Sequence, residues 1–175
     1  MTRRLFLPVV LAALLLAGCK SVAQRVNGVN NFAVVQDPPH TIYRGAQPSE
    51  AGIDTLRQRG VRTIINLRDD PMPDEQEIVE RAGLQYVHIP TSPWKVEPAK
   101  VQEFLKQIET VPRPVFVHCA LGRDRTGLEI AVYRIVVQKW SRQDAIAELY
   151  AHGYDWALYP HIAKYLKTFN PAEFQ

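Results

Sequence analysis

Short runs rich in β-branched residues alternate with stretches of helical periodicity, and this alternation restricts the fold more than any other feature of the chain. Val61 to Leu67 (VRTIINL), Leu84 to Ile89 (LQYVHI) and Val115 to His118, entered through Pro112 and Pro114, read as buried strands. Between them fall helical patterns at Ser49 to Arg59, closed by Gly60, at Asp74 to Ala82, closed by Gly83, and at Pro98 to Glu109. Asp74 followed by Glu77 has the spacing of a capping box. A βαβαβ order predicts an α/β domain whose mostly parallel central sheet is flanked by helices, with ligands at the carboxyl ends of the strands. Three more helices are predicted: Thr126 to Trp140, Arg142 to His152 started by Ser141, and Leu158 to Phe169. The first is apolar nearly all round, which suits a central helix.

Ahead of this domain the chain reads differently. Arg3 and Arg4 precede an apolar run from Leu5 to Ala17, the length of an export signal and short of the ~18 residues of a membrane span. Leu16-Ala17-Gly18-Cys19 then resembles the bacterial lipoprotein box, which implies cleavage after residue 18 and lipidation of Cys19. Lys20, in place of an Asp, implies the periplasmic face of an outer membrane. Residues 19–40, polar and Asn-rich and ending in Pro38-Pro39, are expected to form an extended tether, leaving residues 41–175 as a single domain. At 46% hydrophobic and 22% charged, 175 residues suit one compact unit. The net charge of +3 falls further once Arg3 and Arg4 leave with the signal, so a nucleic-acid surface is not indicated. Two cysteines, each in a motif that needs free sulfur, exclude a disulfide framework.

The chemistry is concentrated where the third strand ends. Val115-Phe116-Val117-His118 runs into Cys119-Ala120-Leu121-Gly122-Arg123-Asp124-Arg125-Thr126-Gly127, so a sulfur sits at a strand end, five residues before an arginine that opens a helix. This segment resembles the phosphate loop of the cysteine-dependent protein phosphatases, and HCALGRDRTG is similar to the bacterial dual-specificity-like members. Tyr43 to Pro48 and Ile64 to Arg68 extend the resemblance, which covers residues 40 to 152. It implies a phosphomonoesterase with a cysteinyl-phosphate intermediate, acting without metal or cofactor on phosphotyrosine, phosphoserine or phosphothreonine proteins. Phosphoinositides or inositol phosphates are the alternative substrates, and a catalytically weak phospho-ligand binding module is the alternative of another class.

The residue types make physical sense for that task. An ordinary thiol has a pKa near 8.5, yet the nucleophile is the thiolate, so negative charge must be stabilised. Backbone N–H groups of Ala120, Leu121, Gly122, Arg123, Asp124 and Arg125, converging at the positive end of a helix, favour both thiolate and phosphate. Arg125 adds a planar fork for two phosphate oxygens. Gly122 permits a tight turn, and Gly127 permits close packing of the helix start. Thr126 is expected to donate its hydroxyl to Cys119, and His118 either orients the loop or fills a structural role.

The family's usual general acid is an Asp on a loop upstream of the Cys, and Pro90-Thr91-Ser92-Pro93-Trp94-Lys95-Val96-Glu97 contains none. Glu97, Asp69, Asp70 and Asp124 are the candidates. Asp124 is the first choice because it lies within the loop, whereas Asp69 and Asp70 are expected in a solvated turn before Pro71. Arg44 and Arg68 sit near strand ends and either attract phosphate or stay solvated. Trp140, Trp156, Tyr150, Tyr154 and Tyr159 are expected in the core and at helix contacts. His40, His88, His152 and His161 show no metal-ligand spacing.

Overall fold

In a computed structural model, which describes residues 24–36 and 38–174, six strands form one sheet. The strands are β1 (Gln24–Val26), β2 (Val29–Gln36), β3 (Ile42–Ala46), β4 (Thr63–Arg68), β5 (Gln85–Thr91) and β6 (Val115–Cys119), ordered β1-β2-β3-β6-β4-β5. β3, β6, β4 and β5 run parallel, and β1 and β2 add an antiparallel edge. β6 lies between β3 and β4, and all five of its residues are buried, as its apolar sequence demands of a strand covered on both faces.

Side chains alternate across the sheet, so neighbouring residues serve opposite layers. Ile64 and Phe116 pack with Phe32, Ile53, Leu56 and Val79 beneath α1 (Glu50–Gln58) and α2 (Glu75–Arg81). Ile65 and Val117 face the other layer, built from α3 (Pro98–Thr110), α4 (Asp124–Val136), α5 (Arg142–Ala151) and α6 (Pro160–Thr168). α4 is the central helix of that layer, buried without interruption from Thr126 to Val136. It starts at Asp124 and stops before Trp140, because Lys139 takes a left-handed conformation with φ of 58°.

The α/β class, the parallel sheet and all six helices are as the sequence predicts. Residues 24–36, however, are not a tether. They form β1 and β2, and Val29, Phe32, Ala33 and Val35 are buried in the domain. The signal was Asn27-Gly28, a two-residue hairpin turn that pairs Val26 with Val29. Asp74 is also not a capping residue: with ψ near 3° it lacks the extended backbone of a helix cap, and its side chain makes no cap bond. Ser49 and Ser141 do cap α1 and α5, accepting from the amides of Gly52 and Asp144. The export signal and Cys19 lie outside the described residues.

Candidate active site

The Cys119–Arg125 loop is positioned by the central strand and by the helix it feeds. Its carbonyl groups are tied back in succession. Ala120 O accepts from the Gln47 amide at 3.2 Å, Leu121 O from Asn31 Nδ2 at 3.3 Å, and Gly122 O from Asn31 Nδ2 at 3.0 Å and Arg44 Nη2 at 2.7 Å. In a trans peptide the N–H points opposite to the carbonyl. The amides of Leu121, Gly122 and Arg123 are thereby turned away from these donors, which is what an anion-binding nest requires. Gly122 has φ of 67°, and a Cβ there would lie 2.4 Å from the Gly45 backbone, so glycine is dictated twice. Gly127 lets α5 approach: a Cβ would meet Leu149 Cδ1 at 2.3 Å.

Arg44 is fully buried on β3 and is a brace for the loop, neither a solvated charge nor a phosphate ligand. Burial lowers its pKa to about 10, opposed by the charges of Glu148 and Cys119, so it remains a cation at neutral pH. Asn31, on the strand read as tether, also donates to His152 O at 3.0 Å and thus links the loop to the end of α5. Beneath the strand end lies a second network that sequence reasoning missed. His118 Nε2 is 3.0 Å from Glu75 Oε1, and Gln47 Nε2 and Asn66 Nδ2 each donate to that buried carboxylate at 2.6 Å. Burial opposes the charge on Glu75, but hydrogen bonding to His118, with help from Gln47 and Tyr86, outweighs it and holds the pKa below the usual value. His118 is therefore a buried positioning group behind Cys119, which is itself only 3% exposed.

The carboxylates are distributed differently from the expectation. Asp124 Oδ1 accepts from the Asp155 amide at 2.9 Å, so the first choice for general acid is turned to the α5–α6 connection; burial raises its pKa. Asp69 and Asp70 are exposed in the bend expected before Pro71, but both carboxylates are paired. Asp69 Oδ1 is 2.5 Å from Arg125 Nη1, while Asp70 pairs with Arg68 at 2.8 Å and stands 3.7 Å from Arg125. The reason is local: β4 ends beside β6, which sets the residues after Arg68 next to the start of α4. Glu97 precedes α3 and pairs with Lys95 at 3.0 Å. Thr126 is buried, but its hydroxyl has no hydrogen-bond partner, so the expected bond to Cys119 is not made. Among the described residues no group of His, Cys, Asp and Glu is placed to hold a metal ion.

Trp94 and Tyr159 form an aromatic pair. Trp94 is 65% exposed, and its ring centroid is 5.4 Å from that of Tyr159. Burial raises the Tyr159 pKa, with smaller contributions from the charges of Asp124, Arg125, Asp155 and Cys119. Tyr154 is in the core as expected, whereas Trp156 and Tyr150 are exposed because they stand on the outward side of the α5 end and the following loop.

With this geometry, comparison with known proteins is decisive. The model of the family described as DSP-PTPase phosphatase fused to NAD+ kinase matches residues 14–156. The chain belongs to the cysteine-dependent DSP-PTPase phosphatases. The dual specificity protein phosphatase TpbA of Pseudomonas aeruginosa is 34% identical to this phosphatase over 161 residues, 86% of this chain and 72% of that protein. The TpbA crystal structure gives a TM-score of 0.74 at 25% identity, covering 90% of this chain and 95% of that one. TpbA in complex with pTyr gives a TM-score of 0.72. The catalytic core of the PP-IP phosphatase SIW14 of Saccharomyces cerevisiae shares the fold, with a TM-score of 0.75 at 21% identity over 86% of this chain and 91% of that one. This phosphatase is thus an α/β enzyme of phosphoester hydrolysis.

Proposed function

We propose that this phosphatase dephosphorylates phosphotyrosyl proteins through a cysteinyl-phosphate intermediate, from a lipid-anchored position outside the cytoplasm. The observation that carries the mechanism is the loop between Cys119 and Arg125 with three successive carbonyls held outward. The Cys119 thiolate attacks phosphorus; the S–P bond forms as the P–O ester bond breaks. Loop amides and the Arg125 fork hold the phosphoryl oxygens as charge spreads over them. Asp69 is the proton donor to the leaving oxygen. A phosphate dianion competes with Asp69 for Arg125, which frees the Asp69 carboxyl group to reach the leaving oxygen. Water, deprotonated by Asp69, next attacks phosphorus, the S–P bond breaks, and inorganic phosphate leaves.

Two features support an aromatic monoester over a polyphosphorylated inositol. The Trp94–Tyr159 pair offers ring faces. Several nearby cations are already paired: Arg68 with Asp70, Arg125 with Asp69, Lys95 with Glu97. Assay of the mature domain in chelator against phosphotyrosyl peptides, phosphoseryl peptides and inositol phosphates should give the highest kcat/KM for phosphotyrosine. Preference for inositol phosphates would overturn the substrate assignment, and phosphate release from none would return the chain to a binding module.

The anchor rests on Leu16 to Cys19. Membrane fractions of a bacterium expressing the full chain should contain it lipidated at Cys19, and Cys19→Ala should remove the lipid by mass spectrometry. A mature chain that starts at another residue would refute the anchor.

A further inference from the structure

The steps above make no use of Glu129. It lies on α4 one turn beyond Arg125, is 1% exposed, and neither carboxyl oxygen has a hydrogen-bond partner. Residues four apart share a helix face, and here they also share an enclosed space. A cavity with room for about one water is lined by Arg125 and Glu129 from α4 and by Thr91, Ser92, Lys95 and Glu97 from the segment that leads into α3. An unpartnered buried carboxyl is costly, and this one shares the lining of that cavity with Arg125.

We propose that Glu129 is a charge-control residue of the phosphate site: protonated, it leaves Arg125 to the substrate, and ionised, it competes for the guanidinium and repels the incoming oxyanion. This rests on the phosphatase reading of the loop. Burial pushes the Glu129 carboxyl up to about 8, so the switch falls just above neutrality. The surrounding charges fit. On its own helix the nearby cation is Arg125. From the α3 side, Lys95 is paired with Glu97 at 3.0 Å and Lys100 with Glu103 at 2.9 Å. From α6, His161 Nε2 and the Tyr165 hydroxyl are buried without partners. Burial, then the charge of Glu129, then that of Glu173 push the Tyr165 phenol up to about 12, so it stays neutral through the relevant range. Arg125 is itself paired with Asp69, so an ionised Glu129, one turn along the same helix and lining the same cavity, would be a second carboxylate competing for that guanidinium.

The test measures tungstate affinity between pH 6.5 and 9.5 in Cys119→Ser protein, where neither the ligand nor residue 119 changes charge, alone and with Glu129→Gln or Glu129→Leu added. Affinity in the Cys119→Ser parent should fall on the order of tenfold as a buried unit charge appears nearby, and both Glu129 variants should bind with a flat profile. In catalysis, kcat/KM for an activated aryl phosphate should lose its alkaline limb in Glu129→Gln. Superimposable pH profiles for parent and Glu129→Gln would overturn the proposal. Absence of turnover in the presence of pH-dependent tungstate binding would overturn the phosphatase reading of the site and leave the role of Glu129 intact. Thermal unfolding of each variant confirms that the folded state is compared.

Discussion

Asp69 engages one nitrogen of the Arg125 guanidinium at 2.5 Å, so in the proposed mechanism the ion pair and a phosphate compete for the same fork. This separates the roles of neighbouring residues in a way kinetics can read. Cys119→Ser should abolish turnover yet retain oxyanion binding, because the backbone nest remains when the thiolate is gone. Arg125→Lys should lower kcat/KM by about 10²-fold or more, since an ammonium cannot reproduce the bidentate fork. For the proton donor, the leaving group is the probe: phenolate departs with little help and an alkoxide does not. Asp69→Asn should depress alkyl phosphate hydrolysis by about 10² to 10⁴ while sparing activated aryl substrates. Asp124→Asn, which removes the charge while an amide oxygen still accepts from the Asp155 amide, should affect both substrate types alike. The reverse pattern would return the acid role to Asp124.

At the scale of elements, the β1–β2 hairpin braces the Cys119–Arg125 loop. Asn31 on β2 holds two loop carbonyls and the end of α5, in a left-handed conformation with φ of 52°. Asn31→Gly keeps that conformation accessible and removes the bonds, so any loss is due to the brace. It should destabilise the domain by about 1–3 kcal/mol and lower kcat more than it raises KM; wild-type kcat in Asn31→Gly would refute the brace. The sequence shows unevenly where such parts lie. β4, β5, β6 and the helices were legible because a buried parallel strand and an amphipathic helix each stamp a local pattern on the chain. The placement of Cys119 at a strand end and Arg125 at a helix start was legible because the segment that joins them is contiguous. The brace was not: Asn31, Arg44, Asn66 and Glu75 meet the loop only through sheet pairing and long-range packing. Each looks polar and therefore solvated when read in place. Asp69 is of the same kind, since only the adjacency of β4 and β6 brings it to Arg125.

For the whole molecule, two buried glutamates set opposite pH dependences on stability. Glu75 is held below the usual carboxylate value in the folded state, so its contribution is present above the ordinary glutamate range and is lost as pH falls through its lowered value. Glu129 is the reverse case. Its carboxyl ionises near 4.5 when unfolded and is pushed up to about 8 when folded, so between those values the folded chain holds a proton that the unfolded chain has released. Stability therefore declines with rising pH across that window, by up to about 1.4 kcal/mol per pH unit for one proton, and levels off above it. Glu129→Gln removes this term and leaves the Glu75 term in place. Its advantage over wild type should consequently be small at pH 4.5 and grow steadily to pH 8, while both proteins lose stability together in acid. Thermal or denaturant unfolding of the two chains at matched pH values measures this directly. A constant difference between them at pH 4.5 and pH 8 would mean that Glu129 is ionised inside the folded domain throughout that range, and that a partner for its charge exists.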